Sequence, residues 1–150
     1  MTESVQYLVL ESVYSTIKGL AFDGMDSSRI HMDAIGGQQG RKLPFITCWL
    51  SEPESFPIGD DDGGNIADRV DYKVMVAIVA GKDHESVMLP KILKYREQIR
   101  RAFLRKRLAG VAEIQRVEVE PQAVFDNLAY EKLNLLVSGL RIVAISQEAR

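Results

Sequence analysis

The chain has 150 residues, of which 46% are hydrophobic and 27% charged, and its net charge is −2. That length and balance fit one folded domain, 1–150, and exclude both a disordered chain and one too small to bury a core. Cys48 is the sole cysteine, which excludes an internal disulfide and fits a reducing compartment. The longest mid-chain apolar run, residues 74–80, is far short of the ~18 residues that a spanning helix needs. The opening Met1-Thr2-Glu3-Ser4 has no basic stretch followed by an apolar one. The expectation is therefore synthesis in a cytoplasm, with no membrane partner.

Residues 2–18 predict a helix. Val5, Leu8, Val9, Val13 and Ile17 recur at helical spacing, and Gly19 follows as a stop. Residues 30–35 alternate as a strand does, residues 36–41 form a glycine-rich loop, and residues 43–50 form a second strand rich in Phe45, Ile46, Thr47 and Trp49. Two strands joined in this way suggest a hairpin with a long loop. Residues 53–68 hold two prolines and lack periodicity, so an exposed interaction loop is expected there. Residues 71–80 read as a strand buried on both faces, which belongs in the middle of a sheet.

A second helix is expected over residues 90–108, opened by Pro90. Ile92, Tyr95, Ile99, Ala102 and Phe103 make one stripe, while Leu93, Leu104 and Leu108 fall on another side. Residues 113–120 alternate as a half-exposed strand. Residues 131–145 predict a long strand bent at Gly139, followed by a frayed tail, residues 146–150. The fold class that follows is α+β: a mostly antiparallel sheet of about five strands, with an N-terminal helix and a second long helix packed on it.

Charge is polarised along the chain. Residues 90–110 carry eight Lys/Arg against Glu97 alone, a balance of +7, which leaves −9 for the rest. Residues 52–71 account for −6 of this, with Glu52, Glu54, Asp60, Asp61, Asp62, Asp68 and Asp71 against Arg69. Such polarity suits charge-complementary association. The cations Arg100, Arg101, Arg105 and Arg107 are scattered round the expected helix, without interleaved aromatics, which argues against reading of DNA. The expected subunit interface is therefore Leu93, Leu104 and Leu108, with Arg100, Arg101, Arg105 and Arg107 facing acidic protein surface, first Asp60, Asp61 and Asp62 of a neighbouring subunit and second a different partner protein.

Catalytic, cofactor and metal motifs are not apparent. His31 and His84 lack a second His or Cys at ligand spacing. Cys48 reads as a buried, inert thiol, although a Cys48–His31 pair is possible across the hairpin. Asp60-Asp61-Asp62-Gly63-Gly64-Asn65 fails the calcium-loop template, with glycine at position 5 and asparagine at position 6. Gly36-Gly37-Gln38-Gln39-Gly40-Arg41-Lys42 has the composition of a phosphate loop, but Leu43 and a strand follow Lys42, where a Walker motif requires Ser or Thr and a helix.

The order of elements, from the helix over 5–17 through strands 30–35, 43–50 and 71–80 to the Lys/Arg-rich helix 90–108 and the strands ending at 145, resembles the tail terminator proteins of tailed bacteriophages, also called tail completion proteins, and the related neck proteins. The resemblance is one of layout and covers nearly the whole chain. It implies a subunit of a homo-oligomeric ring, commonly a hexamer, that ends the tail tube and joins it to the head or neck, in the virion. It implies tube and neck proteins as partners, DNA passing non-specifically through a channel, no enzyme activity and no cofactor. No functional residue transfers individually. Other classes stay open: a head-closure protein, a tail tube subunit, a small enzyme or a nucleic-acid-binding module.

Overall fold

The structure is a computed structural model, which describes residues 4–33, 41–56 and 67–149, without the side chains of residues 67, 68, 148 and 149. Helix α1 spans Val5–Lys18. Strand β1 is Ile30–His31, β2 is Phe45–Trp49 and β3 is Ala67–Gly81. Helix α2 spans Glu85–Phe103, β4 is Ile114–Pro121 and β5 is Leu135–Ala149. The five strands form one sheet in the order β1-β2-β3-β5-β4. Only the β1–β2 pair is parallel. The expected α+β class and mostly antiparallel sheet are what the chain adopts, with β3 in the middle.

Both helices bury their apolar stripes against one face of this sheet. Ser4 caps α1 by accepting the Tyr7 N–H at 3.2 Å, the usual way of satisfying an orphan donor. Val9, Val13 and Ile17 are fully buried there. From α2, Met88, Ile92, Tyr95, Ile99 and Phe103 pack into the same core as Val74, Val76 and Ile78 of β3 and Leu140, Ile142 and Ala144 of β5. The alternate residues of these strands look the other way. Phe45, Ala77 and Val79 form a smaller cluster with Trp49, Leu135 and Val137 on the opposite face.

Several expected boundaries shift, each for a physical reason. Helix α2 begins at Glu85 because Met88 continues the inward stripe one turn earlier. Pro90 therefore sits inside the helix, exposed, as is Ser86 whose carbonyl loses its partner. The helix ends at Phe103, since Leu104 is extended and Arg105 adopts φ 59°. Its backbone N–H donates to Val117 O at 2.7 Å.

The expected hairpin of the first two strands is absent. β1 runs parallel to β2, with Ile30 opposite Ile46 and His31 opposite Thr47. Residues 34–40, which held the expected strand end and loop, lie outside the described residues, as do residues 57–66 of the expected interaction loop. What is described of that loop is tied down: Ser55 and Asp71 exchange two backbone hydrogen bonds of 2.9 Å.

In β4 a bulge between Ile114 and Arg116 shifts the alternation. Ile114 and Val117 therefore both face the core, where strict alternation separates them. Residues 129–133 form a short π-helical turn closed by Asn134 at φ 56°, so β5 starts at Leu135. Residues 146–149 of the expected frayed tail are paired, because β5 runs beside β3 up to Ala149 opposite Ala67; Arg150 lies outside the described residues. Gly139 makes no bulge against β3, where it stands opposite Ala77. Its lack of a side chain serves a close approach, since a Cβ there would lie 3.2 Å from Gln122 Cβ.

Candidate assembly surfaces

The chemistry-bearing side chains are held in structural roles. Cys48 is fully buried on the helix-covered face, and its thiol donates to the His31 carbonyl at 3.6 Å. His31 stands opposite Thr47, the neighbour of Cys48 along β2, so its imidazole projects to the opposite face of the sheet, edge-on to Phe45 at 5.8 Å. No thiol–imidazole pair forms. Burial lowers the His31 pKa, with the nearby Arg41 adding to the effect, and burial pushes the Cys48 thiol up to about 12. Cys48 is therefore expected to resist alkylation at pH 8 in the native protein, and to react fully once denaturant exposes it. Thiol titration with and without denaturant checks this.

Asp33 and Arg41, which flank residues 34–40, are joined by a two-pronged ion pair with one arm at 2.8 Å. Hydrogen bonding from Arg41 holds the Asp33 carboxyl below its ordinary range. Among the described residues no group of three or more His, Cys, Asp and Glu stands close enough to hold a metal ion. Nor is any described helix long and apolar enough to cross a membrane.

The expected interface residues separate into three groups. Leu108 is 5% exposed and belongs to the subunit's own core. The helical reckoning that set it beside Leu93 fails because α2 stops at Phe103 and the chain reverses at Arg105. Leu104 is half-buried, and Leu93 is left at 46% exposure. Arg100, Arg101, Arg105 and Arg107 are all exposed. Arg101 is drawn to Glu97 one turn back, at 2.5 Å, and Arg105 and Arg107 project from the loop after α2. Asp60, Asp61 and Asp62 lie outside the described residues.

Part of the acidic block is already engaged inside the subunit. Buried Asp71 pairs with Arg69 at 2.8 Å. Glu52 pairs with Arg141 at 2.9 Å and with Lys73 at 3.6 Å, and Arg141 also meets Glu120 at 2.9 Å. This network fastens the chain after β2 across β3, β5 and β4. Arg96 of α2, which counts toward the +7, is likewise internal. Its guanidinium donates to Ser138 Oγ and Gly139 O at 2.7 Å each and to Gln122 O at 3.1 Å.

Two surfaces went unnoticed in the sequence. One is the connection between β4 and β5, where Val124, Leu128 and Leu133 are 41%, 67% and 60% exposed. The other is a groove of about 280 Å³ on the helix-free face of the sheet, lined by Trp49, Met75, Ala77, Val137 and Gly139 with Gln122, Ala123 and Asp126 at its wall. The signal available was the odd-numbered apolar set of β3 and β5, which an ordinary one-sided sheet does not need.

No family model matches the chain, and no curated protein matches it in sequence. Its fold is similar to that of a chain in the virion of a native gene transfer agent particle, with a TM-score of 0.64 at 10% sequence identity. The match covers 97% of this chain and 99% of that one, so the shared architecture extends end to end.

Proposed function

We propose that this protein is a structural, non-enzymatic component of a tailed-phage-like particle, and specifically a tail-terminator-type subunit. In this role copies of the chain form a ring, commonly a hexamer in such proteins, that ends the tail tube and joins it to the neck. The observation that carries the reading is the end-to-end fold match to a chain of a gene transfer agent virion. The layout of elements gives the finer terminator assignment. The partners in this role are further copies of the chain, the tube protein and a neck or head-closure protein. DNA passes through the channel without sequence-specific contact.

The surface supports assembly with protein. Arg100, Arg105 and Arg107 are exposed at the C-terminal end of α2 and in the loop beyond. A closed ring uses two different patches of each chain, so a basic patch meets an acidic one on its neighbour. The segment holding Asp60, Asp61 and Asp62 is the acidic candidate. Exposed pairs contribute only ~0–1 kcal/mol each, so they set register and encounter rate more than strength.

The test is the mass in solution by light scattering, for the native protein and for the double variant Arg100→Glu, Arg107→Glu. These positions avoid Arg101, which Glu97 already holds. The native protein is expected as a discrete oligomer. The variant is expected to stay folded and to assemble more slowly, with a reduced salt dependence. A native protein that remains monomeric at all concentrations contradicts the ring. A variant that assembles normally but loses a salt-sensitive DNA affinity favours a nucleic-acid role instead.

A further inference from the structure

An open hollow of about 220 Å³ lies beside β1, lined by Asp26, Ser28, Arg29, His31, Arg41 and Lys42. Its nitrogen-bearing side chains come from two stretches, 29–31 and 41–42, on either side of residues 34–40. Buried Phe45 fixes two of them. The His31 ring meets it edge-on at 5.8 Å, and the Arg41 guanidinium stands 6.0 Å over its ring. Arg29 is fixed by the backbone, donating to Leu43 O at 3.0 Å. Neither Arg29 nor the exposed Lys42 has an ion-pair partner among the described residues.

The carboxylates nearby take up only part of this charge. Asp33 accepts from both outer nitrogens of Arg41, so that pair is neutral and Arg41 gives the wall its shape. Asp26 accepts from the Ser28 N–H at 3.0 Å and from the Ser28 hydroxyl, closing the turn that carries Arg29. Lys18, at the end of α1, acts on His31 from outside the lining. The four cations Lys18, Arg29, Arg41 and Lys42 against the two carboxylates Asp26 and Asp33 leave +2. Farther along the turn, Asp23 is balanced by Lys91, whose Nζ lies 3.3 Å from where a Cβ on Gly24 would stand.

The titratable groups register the sign of this field. Burial lowers the His31 pKa, and Arg41 and Lys18 lower it further, with Asp33 opposing them. Asp26 is held below its ordinary range, first by the Ser28 hydrogen bonds and then by Arg29 and Lys42. Surroundings that disfavour imidazolium and favour carboxylate are those of a site that lacks an anion.

We propose that this hollow binds a phosphate-type oxyanion, with Arg29 and Lys42 as its main donors. Guanidinium and ammonium groups make short, charge-assisted hydrogen bonds to such oxygens. The arriving charge offsets the repulsion at His31, so binding is coupled to proton uptake there. Inorganic phosphate and the phosphodiester backbone of a nucleic acid present the same oxygens. The site lies within one subunit and does not depend on the ring.

The experiment titrates inorganic phosphate into the full chain near neutral pH, with ionic strength held constant by chloride. The ring resonances of His31 are the readout, and those of His84, which does not line the hollow, are the control. His31 is expected to move toward its protonated position and to saturate, while His84 does not follow. Lys42→Gln is expected to weaken binding about fivefold, the effect of one exposed charge pair. Asp26→Asn keeps an oxygen for the Ser28 N–H. It removes the opposing charge and is expected to tighten binding by a similar factor. A short DNA duplex separates the two sources. Saturation of His31 at a lower phosphate concentration with the duplex assigns a nucleic-acid backbone, and a response to inorganic phosphate alone assigns a small anion. A His31 response that chloride reproduces, that never saturates, or that both variants leave unchanged overturns the proposal.

Discussion

Replacing Tyr95 with alanine is expected to lower the unfolding free energy by about 3–5 kcal/mol, the usual cost of emptying a buried aromatic site. Tyr95 is 1% exposed at the middle of α2, where it joins three parts of the chain. Its ring meets Phe22 edge-on at 5.4 Å, and its flank packs with Ile92 and Ile99 in the main core. Its hydroxyl donates to Asp23 O, tying residues 22–25 to the helix. Tyr95→Phe keeps the ring and removes only that donor, so a loss of about 1 kcal/mol is expected. Urea unfolding of both variants separates the two contributions. Equal losses would show that the hydrogen bond, and not the packing, carries the stability of this site. A loss below about 1 kcal/mol for the alanine variant would contradict the packing account.

The second large effect is expected at Arg96. It is the one cation of α2 whose guanidinium reaches into the fold, where three acceptors and no carboxylate receive it. Burial lowers its pKa, the direction expected when a charge is desolvated without a counter-ion. Arg96→Leu leaves the fully buried Ser138 hydroxyl and the Gln122 carbonyl without this donor. Gly139 O keeps one partner in Gln122 N at 3.1 Å. The expected loss is about 2–3 kcal/mol. Arg96→Lys is expected to recover only part of it, because a single ammonium cannot span acceptors arranged for a fork. Hydrogen exchange adds the readout particular to this geometry. The amides of Gln122 and Gly139 should exchange faster in the leucine variant than those of Val76 and Ile78 in β3. A uniform rise across the sheet would mean that Arg96 stabilises only globally.

The contrast between Arg96 and its neighbours shows how far sequence reaches. The tally of +7 over residues 90–110 treats every cation alike, yet Arg96 is internal, Arg101 is held by Glu97, and Arg100, Arg105 and Arg107 are exposed. Side-chain identity gives charge; partners come only from the folded arrangement.

Elements with a long, regular pattern were legible. The Val9, Val13, Ile17 stripe of α1 and the doubly apolar β3 follow directly from periodicity. The second helix was legible as an element, but its ends were not. Pro90 looked like a first residue, although Met88 extends the inward stripe before it.

Pairing direction was not legible either. Nothing local to Ile30 and His31 distinguishes a parallel partner from an antiparallel one. The β4 bulge escaped for the same reason, since the alternation of Ile114, Arg116 and Glu118 looks regular until β5 sets the register. The last strand residues looked like a polar tail, yet Ser146 is buried and the segment is held by backbone pairing with β3. Of the candidate interface, Leu93 and the exposed arginines lie at the surface, and Leu108 belongs to the core. Leu128 and Leu133 are exposed in a connection of which only residues 131–133 were expected to be strand.

The proposed assembly of this chain is a ring that ends a tail tube. Electron microscopy of the purified protein, alone and mixed with its tube protein, tests it most directly. Closed rings with a central channel are predicted for the protein alone, and one ring seated at a single end of each tube in the mixture, with tube growth arrested there. Single subunits in both samples, or copies distributed along the whole length of the tube, would contradict it.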